Sequence, residues 1–303
     1  MSAYHTSVLL SESIAALALQ PSGIYVDVTF GGGGHSRAIL RDLGPQGQLF
    51  AFDRDADALQ NAPQDSRFTL IHNNFKYMHA CLRYAGCTQV QGILADLGVS
   101  SHQFDTQDRG FSFRFNAPLD MRMNRQGSLT AAELLNTAPQ EELERIFRQY
   151  GEMPQSRKMA ALIVAARQQA PITHTQDLSR ILAPLMPKQQ AHKFQATLFQ
   201  ALRIEVNGEM AALEALLEQS LMLLAPGGRL VVISYHSLED RMVKNFMRSG
   251  NLQGQVEKDF YGNELSPFTL IGRKAQSPSD QEIENNNRAR SAKLRVAEKR
   301  QES

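Results

Sequence analysis

Short apolar runs alternate with helical periodicity through the first hundred residues. Ile24–Phe30 is β-branched and aromatic and predicts a strand; it ends in the run Gly31–Gly34, and a helical pattern starts near Ser36. Leu49–Phe52 predicts a second strand closed by Asp53, and Phe68–His72 a third. Gln91–Leu97 is a fourth, almost continuously apolar, as a strand buried on both faces must be. The pattern changes after about Ser101. Residues 102–127, rich in Arg, Asp, Phe and Gly, read as an ordered functional loop. From Thr130 to about Asn207 the period is helical. Thr130 and Glu133 form a capping box, Pro139 suits the first turn of the next helix, and Leu178, Ile181, Leu182 and Leu185 recur at helical spacing. Met210–Leu224 is an apolar helix, Ala225-Pro-Gly-Gly228 its stop and turn, and Arg229–Tyr235 a fifth strand. Ser237, with Asp240 three residues on, caps a helix through Met247, and Phe268–Ile271 predicts a late strand. The pattern implies an α/β domain with a parallel sheet, built from residues 1–104 and 209–303. A helical domain, 105–208, is inserted between its fourth and fifth strands.

Composition supports a soluble globular chain. Of 303 residues, 42% are hydrophobic and 21% charged. No apolar run approaches the ~18–20 residues a membrane span needs. The N-terminus lacks the basic-then-apolar pattern of a secretory signal. The two cysteines, Cys81 and Cys87, match no common metal or redox spacing, so no metal is expected and the predicted compartment is a reducing cytoplasm. The net charge of +1 argues against a uniformly basic nucleic-acid binder.

Three places along the α/β pattern carry candidate chemistry. Glycines between a strand and a helix let a ligand approach the backbone, and the helix N-terminus favours anionic groups. Asp27, on the strand before them, is the acid that an adenosyl cofactor without phosphates requires; a buried structural aspartate is the other reading. Asp53, about twenty residues beyond the glycines, can accept both hydroxyls of a ribose. Asp53, Asp55 and Asp57 are not a calcium loop, because Ala58 and Gln64 stand where Gly and Glu are needed; Asp55 and Asp57 read as solvated charges at a helix start. Asp96 ends the fourth strand in Asp-Leu-Gly-Val, at the ligand crevice of a doubly wound sheet, where a carboxylate can accept hydrogen bonds from a target amine; a strand-end aspartate that caps a turn is the other reading. Motifs for phosphate loops, zinc proteases, serine hydrolases and zinc deaminases are absent. The glycines and Asp53 also suit a nicotinamide-dependent oxidoreductase, and a non-catalytic RNA-binding assembly factor would need neither.

The longer motifs separate these readings. The chain resembles the bacterial 16S ribosomal RNA (cytosine-N4)-methyltransferase family of the RsmH or MraW type. The resemblance rests on Tyr4–Leu10, Asp27–Ser36, Asp96–Met123, Phe199–Asn207, Ile233–Arg241 and Arg288–Arg295. It implies a Rossmann-like class I methyltransferase domain with an all-helical insertion, S-adenosylmethionine as donor, and a cytosine of the small-subunit decoding region as target. It places the cofactor against Gly33, Gly34, His35, Asp53, Phe75, Asp96 and Gln103. The chain departs from the family at Asn116-Ala117, at Lys193–Leu198, where Thr197 replaces an arginine, and at Asn287, where a proline is usual.

Asp96 is then the acceptor for the amine, and His236 and Ser237, beside the same crevice, are candidate contacts to the base. Ser237 also reads simply as a helix cap. Arg109, Arg114, Arg122 and Arg125, interleaved with Phe111, Phe113 and Phe115, suggest a loop that touches phosphates and stacks on bases. The alternative is internal pairing with Asp105, Asp108 and Asp120. The segment from Arg288 to Arg300 carries six basic residues against Glu298 alone, and Arg288, Arg290, Lys293 and Arg295 are candidates to follow an RNA backbone. The partner expected is 16S rRNA in the small ribosomal subunit, with no membrane; the oligomeric state is left open.

Overall fold

Apolar runs too short for helices and rich in β-branched residues pair into a 7-stranded sheet of order β3-β2-β1-β4-β5-β7-β6. A computed structural model describes residues 7–262 and 264–301; residues 4–6 of the N-terminal motif lie outside it. The chain runs through α1 (Leu10–Leu17), β1 (Ile24–Asp27), α2 (Gly34–Asp42), β2 (Gln48–Asp53), β3 (Phe68–His72), α3 (Met78–Tyr84) and β4 (Val90–Asp96). Then come α4 (Ser101–Asp105), α5 (Ala131–Thr137), α6 (Gln140–Gln149), α7 (Ser156–Arg167), α8 (Thr175–Leu182) and α9 (Ala191–Asn207). The last part holds α10 (Glu209–Leu223), β5 (Leu224–Ser234), α11 (Ser237–Ser249), β6 (Phe268–Leu270), α12 (Asp280–Asn285) and β7 (Lys293–Lys299).

The chain divides into two compact units, Met1–Gly98 with Ala211–Ser303, and Val99–Met210. The helical unit thus starts at Val99 rather than 105 and takes Gln103 with it. Its core gathers Leu134, Leu135, Phe147, Ile163, Leu178, Leu182, Leu198 and Leu202, one apolar face from each of α5 to α9. Thr130 and Glu133 form the expected capping box. Pro139 stands one position before α6 rather than inside it.

In the sheet unit, β3, β2, β1, β4 and β5 are parallel. Strand order reverses between β1 and β4, which opens a crevice at the carboxyl ends of these strands. Both faces are covered. Leu94, Val231, Ile233 and Leu294 join α1 and α2 in one core, while Arg295, at the alternate position on β7, reaches Asp240 of α11.

Three sequence expectations change. Helix α2 begins inside the glycine run, at Gly34, not at Ser36. The Ala225–Gly228 turn is absorbed into β5 as an irregularity in its pairing with β4. The basic segment after Asn287 is not a tail. Its residues 293–299 form β7, antiparallel between β5 and β6, with Ala297 and Leu294 buried.

Candidate active site

Five strand ends deliver side chains to one edge of the parallel sheet. After β1, the turn Gly31–Gly34 leads straight into α2. Gly33 caps this helix with φ +74°, a conformation that strains a residue with a Cβ. Because the cap supplies no side chain, the first-turn amides of α2 are left to a ligand. A Cβ on Gly34 would run into the Ser7 side chain, so the turn has room only for bare backbone.

Asp27, before the glycines, is buried and committed internally. Its carboxylate accepts from Ser36 Oγ at 2.7 Å and from the Thr29 amide at 3.1 Å, and burial pushes its pKa up. The structural reading of this residue therefore stands. Asp53, at the end of β2, is half-buried. One oxygen accepts from the Gly31 amide and the other from the Asp55 amide, both at 2.8 Å. Each carboxylate oxygen keeps a second acceptor site, so both can still take a hydroxyl. Asp53 thus ties the glycine turn to β2 while facing the crevice edge. Asp55 is not a solvated charge: it is buried and accepts from the Asp57 amide at 3.2 Å. Phe75, half-buried, opens the one-turn helix Phe75–Tyr77 after β3.

Asp96 ends β4. Its backbone amide donates to Thr29 Oγ1 at 2.7 Å, which locks the ends of β1 and β4 together. Its Oδ1 accepts from the Tyr235 hydroxyl at 2.7 Å, and its Oδ2 lies 3.9 Å from His35 Nδ1. Burial pushes its pKa up to about 6. His35 is buried, with Nε2 3.2 Å from the Val8 carbonyl, and burial lowers its pKa, against the pull of the neighbouring Asp96 carboxylate. Its ring is occupied here; what it can offer a ligand is its amide in the first turn of α2.

Tyr235 and Thr29 were not singled out in the sequence. The only signal for Tyr235 is its place just past a strand end, beside the candidate His236. His236 and Ser237 do follow β5, but the cap assignment shifts by one. His236 is the N-cap of α11 and Glu239 completes the box, its Oε2 accepting from the Tyr235 amide at 2.9 Å. Asp240 instead accepts from Arg295 Nε at 2.7 Å and from Lys293 Nζ at 3.2 Å.

The remaining candidates divide by burial. Gln103 lies in the helical unit, where its Oε1 accepts from the Ser100 amide at 3.1 Å and closes the capping box of α4. Arg109 is only 1% exposed and donates to the Arg122 and Met123 carbonyls at 2.9 and 3.0 Å, so it cannot meet RNA in this conformation. Arg122 makes a two-pronged pair with Asp120 at 2.9 and 2.7 Å. Arg125 pairs with Asp108 at 3.3 Å. Phe111 is in the core, and Phe113 packs edge-on against Phe199 at 5.5 Å. Arg114 and Phe115 are the members of this series that face solvent unpaired among the described residues. Arg288 and Arg290 are exposed, whereas Arg295 is half-buried in its Asp240 pair.

A glycine turn after β1 and carboxylates ending β2 and β4, on the carboxyl edge of a doubly wound sheet, are the arrangement in which a Rossmann-like α/β domain holds a nucleoside-containing cofactor. A family model described as the MraW methylase family matches residues 2–300. The chain is 54% identical over 299 residues to the ribosomal RNA small subunit methyltransferase H of Parabacteroides distasonis, covering 98% of each chain. It is 55% identical over 292 residues to the protein of that name from Flavobacterium psychrophilum, covering 96% of this chain and 100% of that one. A solved structure described as a putative rRNA-methylase from Clostridium thermocellum matches across 98% of this chain and 100% of its own, at 14% identity and a TM-score of 0.43. The chain belongs to the MraW methylase family. It is a methyltransferase whose donor is S-adenosylmethionine. Among the described residues no helix is long and apolar enough to cross a membrane.

The residues fit that donor. The uncapped α2 N-terminus suits its carboxylate, the remaining acceptor sites of Asp53 suit a ribose diol, and the bare glycine turn admits close approach.

Proposed function

We propose that this chain methylates the exocyclic N4 amine of a cytosine in the decoding region of 16S rRNA, within the small ribosomal subunit. The observation that carries the reading is Asp96, a carboxylate at the tip of β4 with one oxygen committed to Tyr235 and the other without a hydrogen bond among the described residues. The names of the relatives, which place their action on small-subunit rRNA, support the substrate class.

Gly33, Gly34 and the His35 amide would hold the amino-acid end of the donor, Asp53 its ribose, and Phe75 would flank its adenine. Gln103 is the further cofactor contact proposed from the family motif. When bound, S-adenosylmethionine supplies an activated methyl group on a sulfonium. The chain's own task is to align and polarise the amine, a poor nucleophile because its lone pair is delocalised into the ring. Asp96 Oδ2 accepts an amine hydrogen, which favours a localised lone pair. The new N–C bond would form as the donor's methyl–sulfur bond breaks, leaving a neutral thioether, and the proton that the amine then loses would pass to Oδ2. Tyr235 holds the carboxylate in that orientation. The target base must leave its stack to reach the edge, where His236 and Ser237 are candidate contacts.

Mass spectrometry of decoding-region RNA, after incubating small subunits or naked 16S RNA with enzyme and donor, tests the reading. N4-methylcytidine on either substrate is the expected result. Its absence from both rejects the reading.

A further inference from the structure

A cavity of about 270 Å³ lies at the carboxyl end of β5, and Tyr235, His236, Ser237, Ser277, Arg290 and Lys293 line it. No acidic residue is among those that line it. Arg290 is exposed, and its guanidinium has no hydrogen bond or ion pair among the described residues. Lys293 is half-exposed and shares only Asp240, at 3.2 Å. The His236 side chain is 7% exposed. Its Nε2 makes no hydrogen bond, although Glu239 Oε1 lies 3.1 Å away in an unsuitable direction. The Tyr235 and His236 amides, just before α11, donate to Glu239 Oε2, and the Glu239 amide is directed to His236 Nδ1. The cationic side chains that an anion in the cavity would meet are Arg290 and Lys293.

Strand register sets the distance from the reacting carboxylate to Lys293, at the edge of this cavity. Asp96, Ile233 and Leu294 stand in one row across β4, β5 and β7, and Lys293 is one step beyond, opposite Ser234. Two strand spacings are roughly 10 Å, short enough for one bound strand to reach both the carboxylate and this cavity. We propose that this cavity holds a phosphodiester of the RNA strand next to the target cytidine, with Arg290 as its main contact and Lys293 and the serine hydroxyls in support. An arginine fork matches a phosphate, and an unpaired one pays no exchange of partners on binding. The inference rests on the rRNA reading above and adds the subsite.

The test compares the full chain with Arg290→Gln, and with Arg83→Gln as an equal charge loss at an exposed site on α3. Wild type should broaden the phosphorus resonance of inorganic phosphate, and Arg290→Gln should not. With small subunits as substrate, Arg290→Gln should raise KM about tenfold at unchanged kcat. The slope of log affinity against log salt should flatten by about 0.7. Arg83→Gln should behave as wild type throughout. Retained phosphate broadening and an unchanged salt slope in Arg290→Gln overturn the subsite, as does an equal loss in Arg83→Gln. Arg290-dependent phosphate binding without any rRNA methylation leaves the anion pocket standing and removes its RNA occupant together with the rRNA reading.

Discussion

The Tyr235 hydroxyl donates to Asp96 Oδ1 at 2.7 Å and joins the ends of β4 and β5 across the parallel sheet. Burial raises the Asp96 pKa, and this hydrogen bond works against the rise by stabilising the carboxylate. Tyr235→Phe removes the donor and should push the Asp96 pKa above about 6. The acid limb of the pH–rate profile should move to higher pH, while affinity for the donor, measured by titration calorimetry, stays the same. An unshifted limb would show that Tyr235 does not tune this carboxylate.

Asp96 must be ionised to accept an amine hydrogen, so kcat/KM of the wild type should fall as pH drops through about 6 and level off above it. Asp96→Asn should lower turnover by about 10²–10⁴-fold, the range for losing a proton acceptor. The same substitution should raise Tm. A folded pKa above the ordinary carboxylate value means that the fold disfavours the charged form. The stability lost to Asp96 ionisation is therefore absent at low pH and grows as pH rises through about 6. The gain from asparagine should be largest above pH ~7 and shrink towards pH ~4. Full turnover in Asp96→Asn with normal donor binding would remove Asp96 from the reaction.

Gly34→Ala places a methyl group against the Ser7 side chain at the first residue of α2. The helix start must shift to relieve it, which moves the uncapped amides. Donor affinity should drop by about tenfold or more, with only a small change in the far-ultraviolet circular dichroism spectrum. Gly208→Ala, at a positive φ but with nothing near its Cβ, should leave donor affinity unchanged and cost only stability. Equal donor affinity in Gly34→Ala and wild type would contradict the role of the turn.

Arg295 and the β7 segment separate structural from RNA-binding roles. Arg295 is half-buried and holds Asp240 with two hydrogen bonds, at 2.7 and 3.2 Å. Arg295→Gln should cost about 2 kcal/mol of stability, read from denaturant unfolding, and leave the salt dependence of small-subunit binding unchanged. Ending the chain at Asn287 removes a strand that lies between β5 and β6 and should yield insoluble protein rather than a folded enzyme with weaker RNA binding. A soluble, active truncation would show that β7 is dispensable.

The elements legible in the sequence are those coded by local pattern. The first four strands, the Thr130–Glu133 box and the helical stretch between α5 and α9 follow from side-chain period and capping chemistry, which act over a few residues. The acids at the ends of β2 and β4 were equally legible, because a parallel sheet brings its carboxyl ends to one edge whatever the intervening loops. The basic arginine–phenylalanine loop left two readings open, contact with RNA and internal pairing, and only the structure shows which of its arginines pair internally. Composition cannot distinguish an arginine that faces solvent, such as Arg114, from one such as Arg109 whose guanidinium is spent on buried carbonyls.

By itself the sequence determined the strand and helix runs, the interrupted domain, the glycine turn, and the carboxylates Asp53 and Asp96. These depend on interactions between near neighbours and on the direction of parallel strands. Only the tertiary structure decided that the charged segment Lys293–Lys299 is a strand, because its stability comes from pairing with β5, sixty or so residues away, and from Leu294 and Ala297 entering the core. Only the tertiary structure joined Tyr235, His35 and Thr29 to Asp96. Those contacts form when β1, β4 and β5 come into register, and long-range register leaves no mark in any short stretch of the chain.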